Sequence, residues 1–201
     1  MPDQIAAYRQ LLHTAHAALR STVAGVAPER WPAPTPCQLW NATQVLQHAA
    51  GDQLAYAAML TGQPGPRFNP FAPSGELDEA PGAFLEPFLQ ASAAAWAAVG
   101  DDATDVSTPL PIGPLLLWLG LGACALDAAV HAWDLAVATG QPSPLTPADA
   151  SLLQAVADRV VEPLRGFAYA PALPAAGSED AVAALLRYLG RQPDWRSPAG
   201  I

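Results

Sequence analysis

The stretch from about Leu115 to Thr139 is an apolar, alanine-rich, helix-forming run, terminated by Gly140 and Pro142, with Asp127, His131 and Asp134 in its middle. Four residues advance a helix by slightly more than one turn, so Asp127 and His131 emerge from one face, one above the other. Asp134, three residues further, extends that face. Asp127 is flanked by Leu126, Ala128 and Val130. Burying a carboxylate without a partner costs several kcal/mol, so this residue needs a cation. The chain has no lysine, which leaves an arginine from another segment or a metal ion.

A carboxylate and an imidazole stacked on one helix are half of a metal site. The second half has to come from another helix, and His48 in Val45-Leu46-Gln47-His48-Ala49-Ala50-Gly51 is the best candidate. A facial His, Asp, His set with open positions is what catalytic divalent metals are usually given. Asp134 suits a supporting role, accepting the free ring N–H of a ligating histidine and so fixing its tautomer; the alternative is a buried capping or bridging aspartate. Trp133 is a candidate wall of the same pocket, while the other tryptophans read as core fillers. Cys124 and Cys37 read better as small buried hydrophobes than as ligands. His13 and His16 lie on a mixed face of the first helix and stay outside the candidate site.

Composition narrows the function classes. The net charge of −9, with nine arginines and no basic cluster, argues against nucleic acid as a partner. The longest apolar segment, Ile112 to Leu126, carries Gly113, Pro114, Gly120 and Gly122 before Asp127, so it reads as buried core and not as a membrane span. Cys37 and Cys124 stand far apart without CxxC spacing, and the N-terminus has no basic segment followed by an apolar one. A reducing cytoplasm is the expected compartment. No HExxH, P-loop, GxGxxG or GxSxG motif occurs.

The 201 residues predict one all-α domain over 1–201, an antiparallel four-helix bundle with additional C-terminal helices. Ile5, Tyr8, Leu11, Leu12, Ala15 and Leu19 set a first helix over about Asp3 to Val23. Four prolines from Pro28 to Pro36 then break it. Asn41 or Thr43 can cap a second helix over about Ala42 to Leu60, ended by Gly62. Thr61 to Gly82 reads as a long surface loop of the kind that is often functional. A third helix is expected over about Gly82 to Val99, with Pro87 tolerable only near its first turn. The fourth is the Leu115–Thr139 run. Ala148 to Leu164 and Glu179 to Leu189, the latter capped by Ser178, make two more. No sustained alternation supports a sheet.

Three motifs in order carry a family resemblance. They are Pro34-Thr35-Pro36-Cys37-x-x-Trp40 leading into the His48 helix, Asp127-x3-His131-x-Trp133-Asp134-Leu135-Ala136 followed by Thr139-Gly140, and Leu185-x3-Leu189-Gly190-Arg191-x-Pro193-x-Trp195. With them the chain resembles the DinB/YfiT-like metal-binding superfamily, in the branch related to the N-terminal metal-binding domain of mycothiol-dependent maleylpyruvate isomerase. The resemblance implies a four-helix bundle holding a divalent metal, zinc or nickel foremost, through His48, Asp127 and His131. Members commonly place His or Glu where this chain has Asp127, one methylene shorter than Glu, which draws the metal toward the fourth helix.

The resemblance further implies a metal-dependent transferase or isomerase that uses a low-molecular-weight thiol of the mycothiol or bacillithiol type on small electrophiles. The cofactor would supply the nucleophile, and no catalytic side chain is assigned. Arg67, in the long loop, is a weak candidate for a substrate carboxylate. The alternative is a non-catalytic metal-binding structural or interaction protein of the same fold. A non-haem iron oxygenase ranks last, because no feature supplies a co-substrate site. The expected partners are a small-molecule substrate or thiol, with no nucleic acid and no membrane. A homodimer is compatible with the alanine-rich helices, although no residue pattern demands it.

Overall fold

A computed structural model describes residues 2–177 and 179–197. Six α-helices, α1 (Pro2–Ala24), α2 (Ala42–Thr61), α3 (Pro81–Ala98), α4 (Leu117–Thr139), α5 (Pro147–Val160) and α6 (Ala181–Tyr188), follow in order. Short 3-10 turns stand at Pro28–Arg30 and Glu162–Leu164, and no strand occurs among the described residues. The fold is the expected helical bundle.

The first four helices pack in a ring, α1 and α2 on opposite corners. Their directions follow from which ends meet. Arg9, early in α1, donates to the Trp96 carbonyl late in α3, and Arg20, late in α1, pairs with Glu86 early in α3. These two helices are therefore antiparallel. Tyr8 meets Trp118 where α1 and α4 begin, and Gln141, just past α4, donates to the Thr22 carbonyl late in α1. So α1 and α4 are parallel. His48, early in α2, faces His131 late in α4, whereas Gln53 reaches the Cys124 carbonyl earlier in α4. Hence α2 and α3 run one way, and α1 and α4 the other.

That topology explains the long loop. Parallel neighbours cannot be joined by a tight turn, and α2, with 20 residues, is roughly 30 Å long at about 1.5 Å per residue. Residues 62–80 make the return crossing, and they lay Phe68 and Pro70 against α2. A Cβ at Gly51 would stand 2.7 Å from the Pro70 Cβ, so glycine is what lets the loop seat there, three residues past His48.

Local signals act as expected at most boundaries. Asn41 caps α2, its side chain accepting from the Gln44 N–H while Gln44 reaches back to the Asn41 N–H. Thr43 instead donates to the Trp31 carbonyl. Gly62 and Gly140 close α2 and α4 at φ of 70° and 80°. Three boundaries differ. α3 runs straight through Pro87, its seventh residue, because the Leu85, Leu89 and Trp96 face is held in the core. α5 stops at Val160, and Pro163 sits in the 3-10 turn that follows. Asp180 caps α6 by accepting from the Ala183 N–H; Ser178, the expected cap, lies outside the described residues.

α4 is long and apolar enough to cross a membrane by length and composition. Its most apolar window is 89% buried in the bundle, as a core helix requires.

Candidate metal centre

The two helices expected to carry the site meet side by side, and the histidine rings of His48 and His131 lie 4.8 Å apart, edge to face. Nε2 of His48, a carboxylate oxygen of Asp127 and Nε2 of His131 converge, each within 4.8 Å of the others. Asp127 Oδ1 is 3.5 Å from His131 Nε2 and 3.9 Å from His48 Nε2.

The outer nitrogens decide which tautomers are present. His48 Nδ1 lies 3.0 Å from the Pro70 carbonyl oxygen, which can only accept, so Nδ1 carries the proton. His131 Nδ1 lies 3.0 Å from Asp134 Oδ2, with the same consequence. Burial holds His131 neutral, pushing its pKa down to about 4 against the opposing pull of Asp134. The His131 Nε2 lone pair therefore faces the Asp127 carboxylate, and His48 Nε2 stands between Asp127 and Asp52 at 3.9 and 3.7 Å. The Asp127 oxygen is separated from both Nε2 atoms by gaps too long for good hydrogen bonds.

Asp127 has no arginine. Burial, and then the charge of Asp52, push its pKa well above the ordinary carboxylate range. The one arginine that lines the adjoining cavity, Arg191, belongs to Asp134. Its Nε donates to Oδ1 at 2.9 Å and its Nη2 to Oδ2 at 2.8 Å. Asp134 is fully buried and also accepts from the Cys37 thiol at 3.2 Å. Burial alone would raise its pKa, but Arg191 and the His131 N–H hold it well below the usual range. Cys37, His131 and Asp134 also cluster closely enough for an ion, but the guanidinium already neutralises that position. Burial, then the Asp134 charge, raise the Cys37 pKa and keep its thiol protonated.

The fourth direction opens into a cavity of about 630 Å³ whose lining includes Trp40, Asp52, Phe71, Leu126, Phe167 and Tyr169. Trp40 packs on the His48 ring at 4.5 Å. Asp52 Oδ2 stands 3.7 Å from His48 Nε2. Trp133 is buried and does not line this cavity: two residues past His131, it leaves the helix about 200° away. Arg67 is exposed and does not line the cavity either.

Beneath the site runs a buried polar network absent from the sequence reading. Gln53 Nε2 donates to Asp127 Oδ2 at 3.0 Å and to the Cys124 carbonyl. Its Oε1 accepts from Ser92, Cys124 and His16 at 3.0, 3.0 and 2.8 Å. With three donors on one side and two acceptors on the other, the amide has one satisfied orientation. Gln53 therefore ties all four bundle helices together and turns Asp127 so that Oδ1 faces the histidines. Burial lowers the His16 pKa to about 4. The unfolded chain then binds more protons between about pH 6.5 and 4, so folding stability is lost as pH falls through that window. A shift of this size corresponds to about 3 kcal/mol. Urea unfolding at pH 7 and pH 4 should show wild type losing more stability than His16→Gln by an amount of that order. Parallel losses would mean that His16 is not held neutral.

The family described as mycothiol maleylpyruvate isomerase N-terminal domain matches residues 12–136, which run from α1 through the Asp127–Asp134 face of α4. The chain belongs to that family. Two uncharacterized proteins of Mycobacterium tuberculosis, from strains CDC 1551 / Oshkosh and ATCC 25618 / H37Rv, are each 31% identical to it over 136 residues. The match covers 65% of this chain and 66% of each relative's length, just under two thirds. No solved structure matches. Arg191 and the Phe167 wall of the cavity lie beyond the family match, although Arg191 completes the support of His131 through Asp134.

Proposed function

We propose that the protein holds a divalent ion, zinc or nickel foremost, on His48, Asp127 and His131, and that it uses the ion to activate a low-molecular-weight thiol for attack on a small electrophile. The observation that carries this reading is the convergence of two imidazole nitrogens and a buried carboxylate that no arginine pairs with among the described residues. A divalent ion at that point would supply the missing positive charge and lower the pKa of a thiol at its open face.

The chain's own residues take the remaining roles. Asp134, fixed by Arg191, and the Pro70 carbonyl hold the two imidazoles in the tautomer a ligand needs. Gln53 keeps the second Asp127 oxygen occupied. Asp52 stands beside the open face as an acceptor for a proton released there. Three ligands opening onto a cavity favour catalysis over a purely structural ion, whose four positions would be closed by protein.

Cobalt substitution tests this reading. The Co(II)-loaded protein should bind about one equivalent of ion, as a single three-ligand site requires, and a small thiol such as cysteine should add a sulfur-to-cobalt charge-transfer band near the ultraviolet. His131→Ala should lose both. Uptake of ion without any spectral response to thiol would leave the metal site and sink the thiol chemistry.

A further inference from the structure

Among the described residues five large apolar side chains stand exposed, Leu39, Met59, Phe71, Leu116 and Phe167. Three of them, Leu39, Phe71 and Phe167, line the one cavity that opens on the His48–Asp127–His131 cluster. They come from three separate connections: before α2, between α2 and α3, and after α5. Exposed apolar groups scattered singly carry no message, but three gathered at one cavity mouth mark a binding surface. The Phe71 and Phe167 rings lie 5.4 Å apart, and Phe71 also meets the His48 ring edge-on at 5.4 Å. Behind them the wall is Leu126, Val130 and Leu164.

The charges in the cavity point the same way. Its lining contains one arginine, Arg191, and no lysine, and that arginine grips both Asp134 oxygens and donates to the Cys37 sulfur. Its carboxylates are Asp52 and Asp127, which flank His48 Nε2 at 3.7 and 3.9 Å. No lining arginine is left to clamp a ligand carboxylate, and in the metal-free cavity two carboxylates stand where it would repel.

We infer that the cavity selects an electrically neutral, aromatic acceptor, its ring clasped at Phe71 and Phe167 and its reactive end turned toward the histidine cluster. This names the substrate class of the proposed function and rests on that reading for the reaction, but not for the binding.

Matched probes separate the two. Isothermal titration of the full chain after chelation, at pH 8, compares 2-naphthamide with 2-naphthoate, which differ in charge and little in shape. The amide should bind saturably and at least about tenfold more tightly than the carboxylate, as uncompensated like charge dictates. The Phe71→Ala/Phe167→Ala double variant should weaken the amide by at least about fivefold through lost aromatic contact. Leu39→Ser, at a more exposed site, should weaken it less, and Met59→Ala, outside the cavity, should leave it unchanged. Equal or tighter binding of the carboxylate, no saturable binding of the amide, or an unaltered double variant would overturn the inference. Elemental analysis of the protein before chelation, and again after reconstitution with zinc, reads the ion site independently: absence of metal in both sinks the proposed function and leaves the probe preference standing, and the reverse holds equally.

Discussion

Asp127→Asn is expected to move two properties in opposite directions, making the metal-free protein more stable while abolishing its divalent-ion binding. In the metal-free state the carboxylate is penalised by burial and by Asp52, and it stands 3.5 and 3.9 Å from two imidazole Nε2 atoms without a good hydrogen bond to either. An amide keeps an oxygen to accept from Gln53 and turns an N–H donor toward the histidines. The gain should be about 1–3 kcal/mol, the usual cost of a buried polar group left without its partner. Its pH dependence has a definite sign. The Asp127 carboxyl holds its proton more tightly folded than unfolded, so wild-type stability falls as pH rises above the ordinary carboxylate range. The advantage of Asn should therefore be small near pH 4 and larger at pH 8. For the ion the change is a loss: a neutral amide replaces the only anionic ligand. Wild type should carry about one equivalent and gain stability on zinc addition by mass action, while Asp127→Asn should carry almost none and gain nothing. A variant that kept its ion, or whose metal-free form were less stable than wild type at pH 8, would refute the assignment of Asp127 as a cation-starved ligand.

The helices were legible because their signals are local. The apolar spacing of α1, the Asn41 cap and the Gly62 and Gly140 stops each act within a few residues, and the Asp127–His131–Asp134 face is a property of one helix. His16, set aside above as lying on a mixed face, and Asp52, not singled out at all, nevertheless carry local signals. His16 falls four after Leu12 and three before Leu19, on the core stripe, despite the alanines around it. His48-x3-Asp52 has the same spacing as Asp127-x3-His131 and places a second carboxylate beside the site. What could not be read are the partners that meet only through topology. Nothing local says that α2 and α3 run parallel, and so nothing local brings Pro70 to His48 or Phe71 to the cavity. The cation sought for Asp127 shows the same limit. The choice between an arginine and a metal turned on a residue 64 positions away: Arg191 pairs with Asp134, one turn beyond His131, and leaves Asp127 without a cation.

That allocation makes Arg191→Met one of the most damaging single changes outside the ligand set. Removing the guanidinium leaves Asp134, with no exposed surface, as an uncompensated buried charge, a situation that costs about 3–5 kcal/mol. For a chain of this length that is a fall of roughly 10 °C in melting temperature. The loss should come from the stranded charge far more than from the missing contacts, and a double variant separates them. Arg191→Met with Asp134→Asn removes both charges, while the Asn oxygen can still accept from His131 Nδ1 and keep its Nε2 lone pair turned inward. It should recover at least about half of the lost stability, since replacing both partners of a buried pair is far milder than removing one, and it should retain the ion. Arg191→Lys should fall between, because an ammonium cannot span both carboxylate oxygens as the guanidinium does at 2.9 and 2.8 Å. If Arg191→Met proved neutral, or if the double variant were as unstable as the single, then the Arg191–Asp134 pair would not be what fixes His131, and the support of the site would have to rest on Gln53 and the Pro70 carbonyl alone.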